Sequence, residues 1–194
     1  MAESLVVPTL YLSAKGPANT EAVLAHAARR AEELRLRKVV VATCTGQTAK
    51  RALELFRRDA FELLAVTHVT GFAQPDVQEL PEEARRELEA AGVKVLTAAH
   101  AFGGVGRGVR TKLKTYQVDE IMAYTLRMFG QGVKVGLEIA YMACDRGWVR
   151  TDEDILTISG SGRGADTALV VRPSNSHNCL DALVREIVAK PWSP

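Results

Sequence analysis

The stretch KVVVATCTGQTAKRALELF, residues 38–56, decides the fold. It opens with a short run of β-branched and small apolar residues, 39–42, which is typical of a buried strand. Apolar residues then recur at the helical spacing i, i+3, i+4 and i+7 from Ala49 to Phe56. The period changes from strand to helix across a tight turn, so this stretch predicts a strand, a turn and a helix.

The turn itself, TCTGQT at residues 43–48, carries three hydroxyl groups and one glycine but no acidic residue. The first amide groups of a helix lack intrahelical partners and lie at the positive end of the helix dipole. A phosphate or a carboxylate is therefore a complementary ligand. We expect an anion-binding turn formed by Thr43, Cys44, Thr45, Gly46, Gln47 and Thr48. An ordinary helix N-cap by Thr43 or Thr45 explains the same residues, and the local sequence leaves both interpretations open.

Composition and charge exclude several classes of protein. The chain has 194 residues, of which 47% are hydrophobic and 25% charged, which predicts one domain over residues 1–194. A net charge of +2 without a concentrated Lys/Arg stripe argues against nucleic-acid binding. Three cysteines without CxxC spacing indicate neither a disulfide framework nor a metal site. We expect no membrane segment and no leader peptide, and hence a cytoplasmic protein.

The elements after the central stretch predict an α/β domain. Strand patterns at residues 61–72 and 93–97 flank a predicted helix that Pro81 starts and Gly92 ends. Repeated strand–helix alternation with short connections requires parallel strands with helices on both faces of the sheet. We therefore predict a doubly wound domain.

The second half of the chain completes this sheet. Residues 118–146 are predicted to be mostly helical, with a break at Gly130 and Gly132. Residues 155–159 and 167–172 read as strands, and the seven residues between them are too few for a parallel crossover. The last strand must therefore be antiparallel in a mixed five-stranded sheet. The tail from His177 onward fits either a helix or an edge strand.

Several segments together resemble a known family. They are NTEAVLAHAARRAEEL, VVVATCTGQTAKRAL, THVTGF, LRMFGQGVKVGLEIAYMACDRG and ISGSGRGADTALVVRPSNS. Over nearly its whole length the chain resembles stand-alone bacterial and archaeal relatives of the C-terminal α/β domain of pyruvate kinase. The resemblance implies a three-layer α/β/α fold with strand order 3-2-1-4-5 and strand 5 antiparallel. Nothing in the chain resembles the barrel domain that carries out pyruvate kinase chemistry, so that activity is not implied.

The resemblance also implies a ligand. In pyruvate kinase the equivalent turn binds a phosphate of an allosteric sugar bisphosphate, and the similar site of the stand-alone relatives is associated with flavin mononucleotide (FMN). The phosphate contacts carry over to Thr43, Thr45, Gly46, Gln47 and Thr48. This chain departs from the family at Cys44 and Gln47, where the pyruvate kinase turn commonly offers Lys or Arg. We expect Arg163 or Lys134 to supply the missing charge.

Further candidates follow the other predicted strands, because ligands collect at the carboxyl ends of parallel strands. His68 is interpreted as a ligand contact or proton carrier, or as a buried histidine bonded to a backbone carbonyl. Phe72 is interpreted either as a residue that stacks on a flavin ring or as part of the core. His100 lies beside the segment FGGVGRGVRTKLK, which is interpreted as a basic flap over the ligand or as a plain connector. Cys44, if exposed at the helix N-terminus, would have a lowered pKa and could act as a nucleophile, but no base is adjacent in sequence and a small buried thiol is the preferred interpretation. The predicted cofactor-binding set is completed by Thr70, Gly71, Gln131, Gly162 and Arg163.

The function expected from these residues is binding of a phosphorylated small molecule, with FMN as the cofactor. Two alternatives stay open at this stage. One is an enzyme for a phosphosugar-type metabolite without flavin, with His68 or His100 as acid or base, and the other is a regulatory module that senses such a metabolite. The sequence does not decide whether the chain is an enzyme, and it leaves a homo-oligomer open.

Overall fold

The computed structural model describes residues 4–193 and folds them around one mixed sheet with helices on both faces. The strands are β1 (Leu10–Leu12), β2 (Lys38–Ala42), β3 (Glu62–Val66), β4 (Lys94–Leu96), β5 (Ile155–Ser159), β6 (Thr167–Arg172) and β7 (Leu183–Pro191). The helices are α1 (Thr20–Glu33), α2 (Gln47–Leu55), α3 (Glu82–Ala90), α4 (Val105–Leu113), α5 (Val118–Arg127) and α6 (Gln131–Asp145). Short 3₁₀ turns at Pro17–Asn19 and Ser176–Asp181 complete the described elements.

The strand order is β1-β7-β6-β5-β2-β3-β4. The predicted order 3-2-1-4-5 is confirmed as β4-β3-β2-β5-β6. The first four of these strands are parallel, and β6 runs antiparallel to β5 as predicted. The predicted number of five strands was wrong, because β7 and β1 extend the sheet beyond β6 within the described residues. The tail is therefore an interior strand between β6 and β1, and β1 forms the edge.

Strand β2 lies in the interior of the sheet, between β5 and β3, and is apolar on both faces. Val39, Val40 and Val41 are fully buried, as expected for a parallel strand covered by helices on each side. Helices α1 and α2 pack on one face with Val39 and Val41, whereas α6 packs on the other face with Val40. These two apolar layers confirm the three-layer α/β/α class.

Helix α6 lies unusually close to the sheet. The predicted break between two helices is confirmed, since Gly130 has a φ of 123° and α6 begins after it. A Cβ atom at Gly132 would lie 2.0 Å from Thr167 Oγ1, so only glycine permits this approach to β6. The glycines here therefore serve helix–sheet packing.

The segment predicted as a glycine-rich flap or connector is instead helix α4, and that prediction was wrong. Its glycines weaken the helical pattern in sequence, but a tertiary contact supports the helix because Arg110 Nε donates to Glu120 Oε1 of α5 at 2.6 Å. Lys114 ends α4 in the left-handed conformation. No helix among residues 4–193 has the length and apolar character needed to cross a membrane.

Candidate functional site

A cavity of about 640 Å³ opens where β2, β3 and β5 end. Its wall includes Ala42, Val66 and Gly160, which close or directly follow these three strands. This is the position where open α/β sheets bind ligands. The cavity brings together most of the predicted site residues: Thr43, Cys44, Thr45, Gln47, Thr48, His68, Phe72, Gln131, Gly162 and Arg163.

Three predicted residues shape the neighbouring loops and do not line the cavity. Gly46 adopts a φ of 87°, and a Cβ atom there would meet Leu80 Cδ1 at 3.2 Å, on the side of the β3–α3 connection. The Thr70 hydroxyl lies 3.3 Å from Gln78 Nε2, which donates to it. Gly71 donates its amide to the Val77 carbonyl at 2.9 Å. All three set the course of the chain around the cavity.

The turn before α2 combines both interpretations made from its sequence. Gly46 donates its amide to Thr43 Oγ1 at 3.1 Å, so Thr43 does bind one amide of the turn. No side chain caps the first turn of α2. Among the described residues, the amides of Gln47, Thr48 and Ala49 have no hydrogen-bond partner. Three donors at the positive end of the helix dipole are thus free to bind an anion.

A second helix, α6, begins at the same cavity. Its first residue, Gln131, lines the wall, and Gln131 Oε1 accepts a hydrogen bond of 2.7 Å from Arg127 Nε. The side-chain NH₂ of Gln131 is then the group left to contact a ligand. The two helix N-termini therefore add their dipoles at one place.

Positive charge dominates the cavity wall. Its cationic side chains are Arg51, Arg107, Arg127, Lys134 and Arg163, whereas Glu138 supplies the carboxylate. Arg163 is exposed and forms no ion pair with any described residue. Arg107 lies with its guanidinium carbon 5.2 Å from the Phe72 ring centroid, and its buried Nε has no hydrogen-bond partner among residues 4–193. These two arginines are available for an anionic ligand.

Lys134 is less available than the sequence suggested. Its side chain is buried and pairs with the Glu138 carboxylate. Glu138 also accepts a hydrogen bond of 3.0 Å from the Phe102 amide. Burial lowers the pKa of Lys134, although the carboxylate opposes this effect. Arg163 is therefore the better of the two predicted sources of charge.

His68 is bonded to two side chains and not to a backbone carbonyl, contrary to the simpler interpretation of its sequence. His68 Nδ1 lies 2.6 Å from Glu79 Oε2, and His68 Nε2 lies 3.3 Å from Cys44 Sγ. A thiol, an imidazole and a carboxylate thus form a continuous chain beside the cavity. The expectation of an isolated, buried Cys44 was wrong, since this residue is half-buried and His68 is next to it in space.

Aromatic rings form one wall of the site. The Phe72 ring centroid lies 4.0 Å from that of His68 and 5.1 Å from that of His100. His100 Nε2 accepts a hydrogen bond of 3.2 Å from the Val69 amide, so this histidine holds the loop after β3. Burial lowers the pKa of His100 to about 4, which keeps its ring neutral at physiological pH. His68 is consequently the better placed of the two histidines for proton transfer.

The loop between β5 and β6 is held in place by Asp166. This fully buried carboxylate accepts hydrogen bonds from the amides of Gly16 and Ser161, at 2.9 and 3.0 Å, and from the Thr167 hydroxyl. It does not pair with Arg163, which is therefore left to face the cavity. Gly162 and Arg163 reach the wall because this buried anchor sets the loop.

Sequence reasoning missed Arg51, Arg127 and Glu79. Helical spacing could have identified Arg51, which lies four residues after Gln47 in α2. Arg127 ends α5 and is separated from Gln131 by the break at Gly130, so helical spacing does not connect these two residues. Glu79 carries no such signal, since the long loop after β3 brings it to His68 without any periodic pattern. Its role is visible only in three dimensions.

Comparison with known protein families identifies a family that covers most of the chain. The family model described as pyruvate kinase, alpha/beta domain, matches residues 21–171. The match spans the turn before α2, the whole of α6 and the loop between β5 and β6. It therefore includes nearly all of the cavity wall.

Proposed function

The chain belongs to the pyruvate kinase alpha/beta domain family, and from that premise we propose that it binds a phosphorylated small molecule, FMN in the first place, with the phosphate at residues 43–48. The observation that carries this proposal is the set of three unpaired amides at the start of α2, where Gln47 and Thr48 line a cavity rich in cations. A phosphate dianion satisfies these donors, and water exclusion inside the cavity strengthens the attraction.

Arginine side chains supply the charge that the turn lacks. Arg163 from the β5–β6 loop and Arg51 from α2 both reach the cavity wall. Arg51 also pairs with Glu21 at 3.2 Å on the exposed side, so Arg163 is the freer of the two. Guanidinium groups bind phosphate oxygens in a bidentate manner. A phosphate at the turn is thereby neutralised by dipoles and by at least one arginine.

The rest of the cavity suits a ring system. Its volume of about 640 Å³ exceeds what a lone phosphate needs and falls within the usual range for small-molecule sites. Phe72, His68 and His100 offer ring faces, and the free NH₂ of Gln131 is a donor for carbonyl oxygens. When bound, FMN would supply redox chemistry, whereas the protein residues bind its phosphate and orient its ring.

Two further proposals concern where and how the protein exists. Unpaired cysteines, among them Cys144 and Cys179, support a reducing cytoplasmic location. Helix α5 exposes Val118 and Ile121, and Met128 directly after the helix is exposed as well, which supports a homo-oligomer formed through this part of the surface. Sedimentation at increasing protein concentration would test the second proposal.

The experiment that tests the main proposal compares two threonine variants. We expect purified wild-type protein to take up FMN, detected by flavin absorbance and by mass spectrometry of the molecule released on denaturation. Thr45→Asp places a negative charge beside the unpaired amides and should abolish uptake. Thr151→Asp makes the same change in the exposed loop before β5, at the end of that strand opposite to the cavity, and should leave uptake unchanged. The proposal would be contradicted if neither the wild type nor Thr151→Asp bound FMN.

An enzyme for a phosphosugar-type metabolite without flavin is the second candidate. The chain of Cys44, His68 and Glu79 favours it, since this arrangement places a nucleophile beside a base.

A further inference from the structure

A cysteine, a histidine and a glutamate form a chain of side-chain contacts beside the anion-binding turn. Cys44 lies in the turn after β2, His68 in the loop after β3, and Glu79 farther along the same loop. The distances of 3.3 Å from sulfur to Nε2 and 2.6 Å from Nδ1 to the carboxylate are of hydrogen-bond length. This is the order of contacts found in nucleophile, base and orienting-residue triads.

The carboxylate fixes which nitrogen of His68 carries the proton. Because an ionised Glu79 only accepts hydrogen bonds, Nδ1 must be the donor in that contact. Nε2 of a neutral ring is then an acceptor, and it faces the thiol of Cys44. The imidazole is thus set to remove the thiol proton.

The environment of Cys44 makes this base necessary. Burial raises the pKa of the Cys44 thiol to about 11, with a further contribution from Glu79, while Arg163 opposes the shift. Very little thiolate exists at neutral pH under these conditions. A nucleophilic Cys44 at that pH must therefore lose its proton to His68 as it attacks.

The groups that a substrate would meet beside the sulfur favour an acyl phosphate. Cys44 and Thr45 have amides without partners among the described residues, and such amides can bind the oxyanion of a tetrahedral intermediate. The unpaired amides of Gln47 and Thr48 follow immediately and suit a phosphate leaving group. Arg163 lines the same wall.

We propose that Cys44, His68 and Glu79 transfer the acyl group of small acyl phosphates to water, with Cys44 as the nucleophile, His68 as the general base and Glu79 as the positioning residue. The proposal rests on the proposed function in one respect, namely that the substrate phosphate occupies the turn at residues 43–48. FMN and acyl phosphate are alternative occupants of the cavity.

The reaction has two steps. In the first, a bond forms between Cys44 Sγ and the acyl carbon while the bond from that carbon to the phosphate oxygen breaks. The thiol proton passes to His68 Nε2 and from there to the departing phosphate. In the second step, water attacks the thioester carbon and gives a proton to His68. The carbon–sulfur bond then breaks and Cys44 recovers the proton, so that the products are a carboxylic acid and phosphate.

The test uses two acyl donors on the full chain. Acetyl phosphate carries the phosphate group, and p-nitrophenyl acetate is a neutral ester without it. We expect both to acetylate Cys44 at neutral pH, as seen by peptide mass spectrometry, with release of phosphate or nitrophenol. Cys144, which is buried, and Cys179, whose thiol has no hydrogen bond to a histidine within residues 4–193, are internal controls and should react far more slowly.

Variants assign the roles. His68→Ala should slow acetylation of Cys44 at neutral pH by about 100-fold or more, the usual contribution of a general base. Glu79→Gln should also slow it, because the His68 ring then loses the carboxylate that fixes its orientation and its protonated nitrogen. The wild type should react at neutral pH, where His68 removes the thiol proton. In His68→Ala the rate should keep rising toward alkaline pH, because only thiolate then reacts.

The outcomes separate this proposal from the preceding one. If Thr45→Asp slows reaction with acetyl phosphate but not with the neutral ester, both proposals are supported. Added FMN serves as a competitor in the same assay. If neither Thr45→Asp nor FMN changes the rate of Cys44 acetylation by either donor, while His68→Ala still lowers it, the triad is supported and the phosphate site is contradicted. Three results would refute the triad whatever the result of FMN binding. They are reaction of Cys44 only at alkaline pH, reaction no faster than that of Cys179, and reaction as fast in folded Glu79→Gln and His68→Ala as in the wild type.

Discussion

At the scale of single residues, the two histidines of the site have the same side chain and opposite surroundings. His68 is hydrogen-bonded to a carboxylate and a thiol, whereas His100 accepts a hydrogen bond from a backbone amide. His100 also has cationic and aromatic side chains as neighbours. One is thereby suited to move a proton and the other to stay neutral and hold a loop. Residue type alone does not distinguish these roles, which depend on what the loop after β3 brings near each ring.

The half-buried, neutral state of His100 predicts a loss of stability in acid. Its pKa falls from an ordinary value of 6.5 to about 4 on folding, so between these pH values the unfolded chain binds the proton and the folded chain does not. The free energy of unfolding should therefore decrease as pH falls through this window, by at most about 3 kcal/mol from this residue. Urea unfolding of wild type and His100→Gln across this range measures the effect.

In this comparison His100→Gln should lose part of the pH dependence. His177→Gln removes an exposed histidine and should keep the wild-type dependence. An unchanged pH slope in His100→Gln would contradict the prediction, because His100 would then bind protons equally in the folded and unfolded states.

At the scale of elements, helix α6 illustrates how a glycine sets the position of a helix. Gly132 lets the start of α6 approach β6, and Ser159 Oγ donates to the Gly132 carbonyl at 2.7 Å. This contact fixes where the N-terminus of α6, and with it Gln131, meets the cavity. The packing of the helix and the shape of the site thus depend on the same residue.

A pair of glycine variants tests this packing. Gly132→Ala should lower the free energy of unfolding by about 1–3 kcal/mol, because its Cβ would overlap Thr167. Gly108→Ala lies within α4 with nothing within 4 Å of the added atom, so it should be neutral or stabilising by up to about 1 kcal/mol. Urea unfolding compares the two. Equal stability of Gly132→Ala and wild type would mean that α6 does not lie this close to β6.

The elements differ in how well sequence predicts them. β5 and β6 match their predicted bounds because apolar, β-branched runs are bordered by glycine and charged residues. α4 was missed since its glycines hide a helix that Arg110 and Glu120 support from outside the segment. β7 was left ambiguous because its pairing with β6 and β1 depends on partners far away in sequence. Local patterns are informative only where local energetics decide the structure.

At the scale of the whole molecule, the sheet topology brings the residues of the site together. The parallel strands β2, β3 and β5 end at one edge of the sheet, and α2 and α6 begin there. Positive dipole ends and arginines therefore converge without being close in sequence. The predicted turn was found at this cavity because the carboxyl ends of strands are a general binding position. The contribution of Arg127 and Glu79 could not be predicted, since it arises from tertiary packing.

The central claim is that unpaired amides at the start of α2 bind a phosphate group, and the most direct measurement compares FMN with riboflavin. The two ligands share the ring and differ in the phosphate, so their affinity ratio reports what the turn and its neighbouring arginines contribute to phosphate binding. Fluorescence titration of the wild-type protein should show FMN binding at least about 100-fold more tightly than riboflavin, equivalent to roughly 2.7 kcal/mol. Equal affinities for the two flavins would contradict the account, because the phosphate would then make no net contribution at the turn.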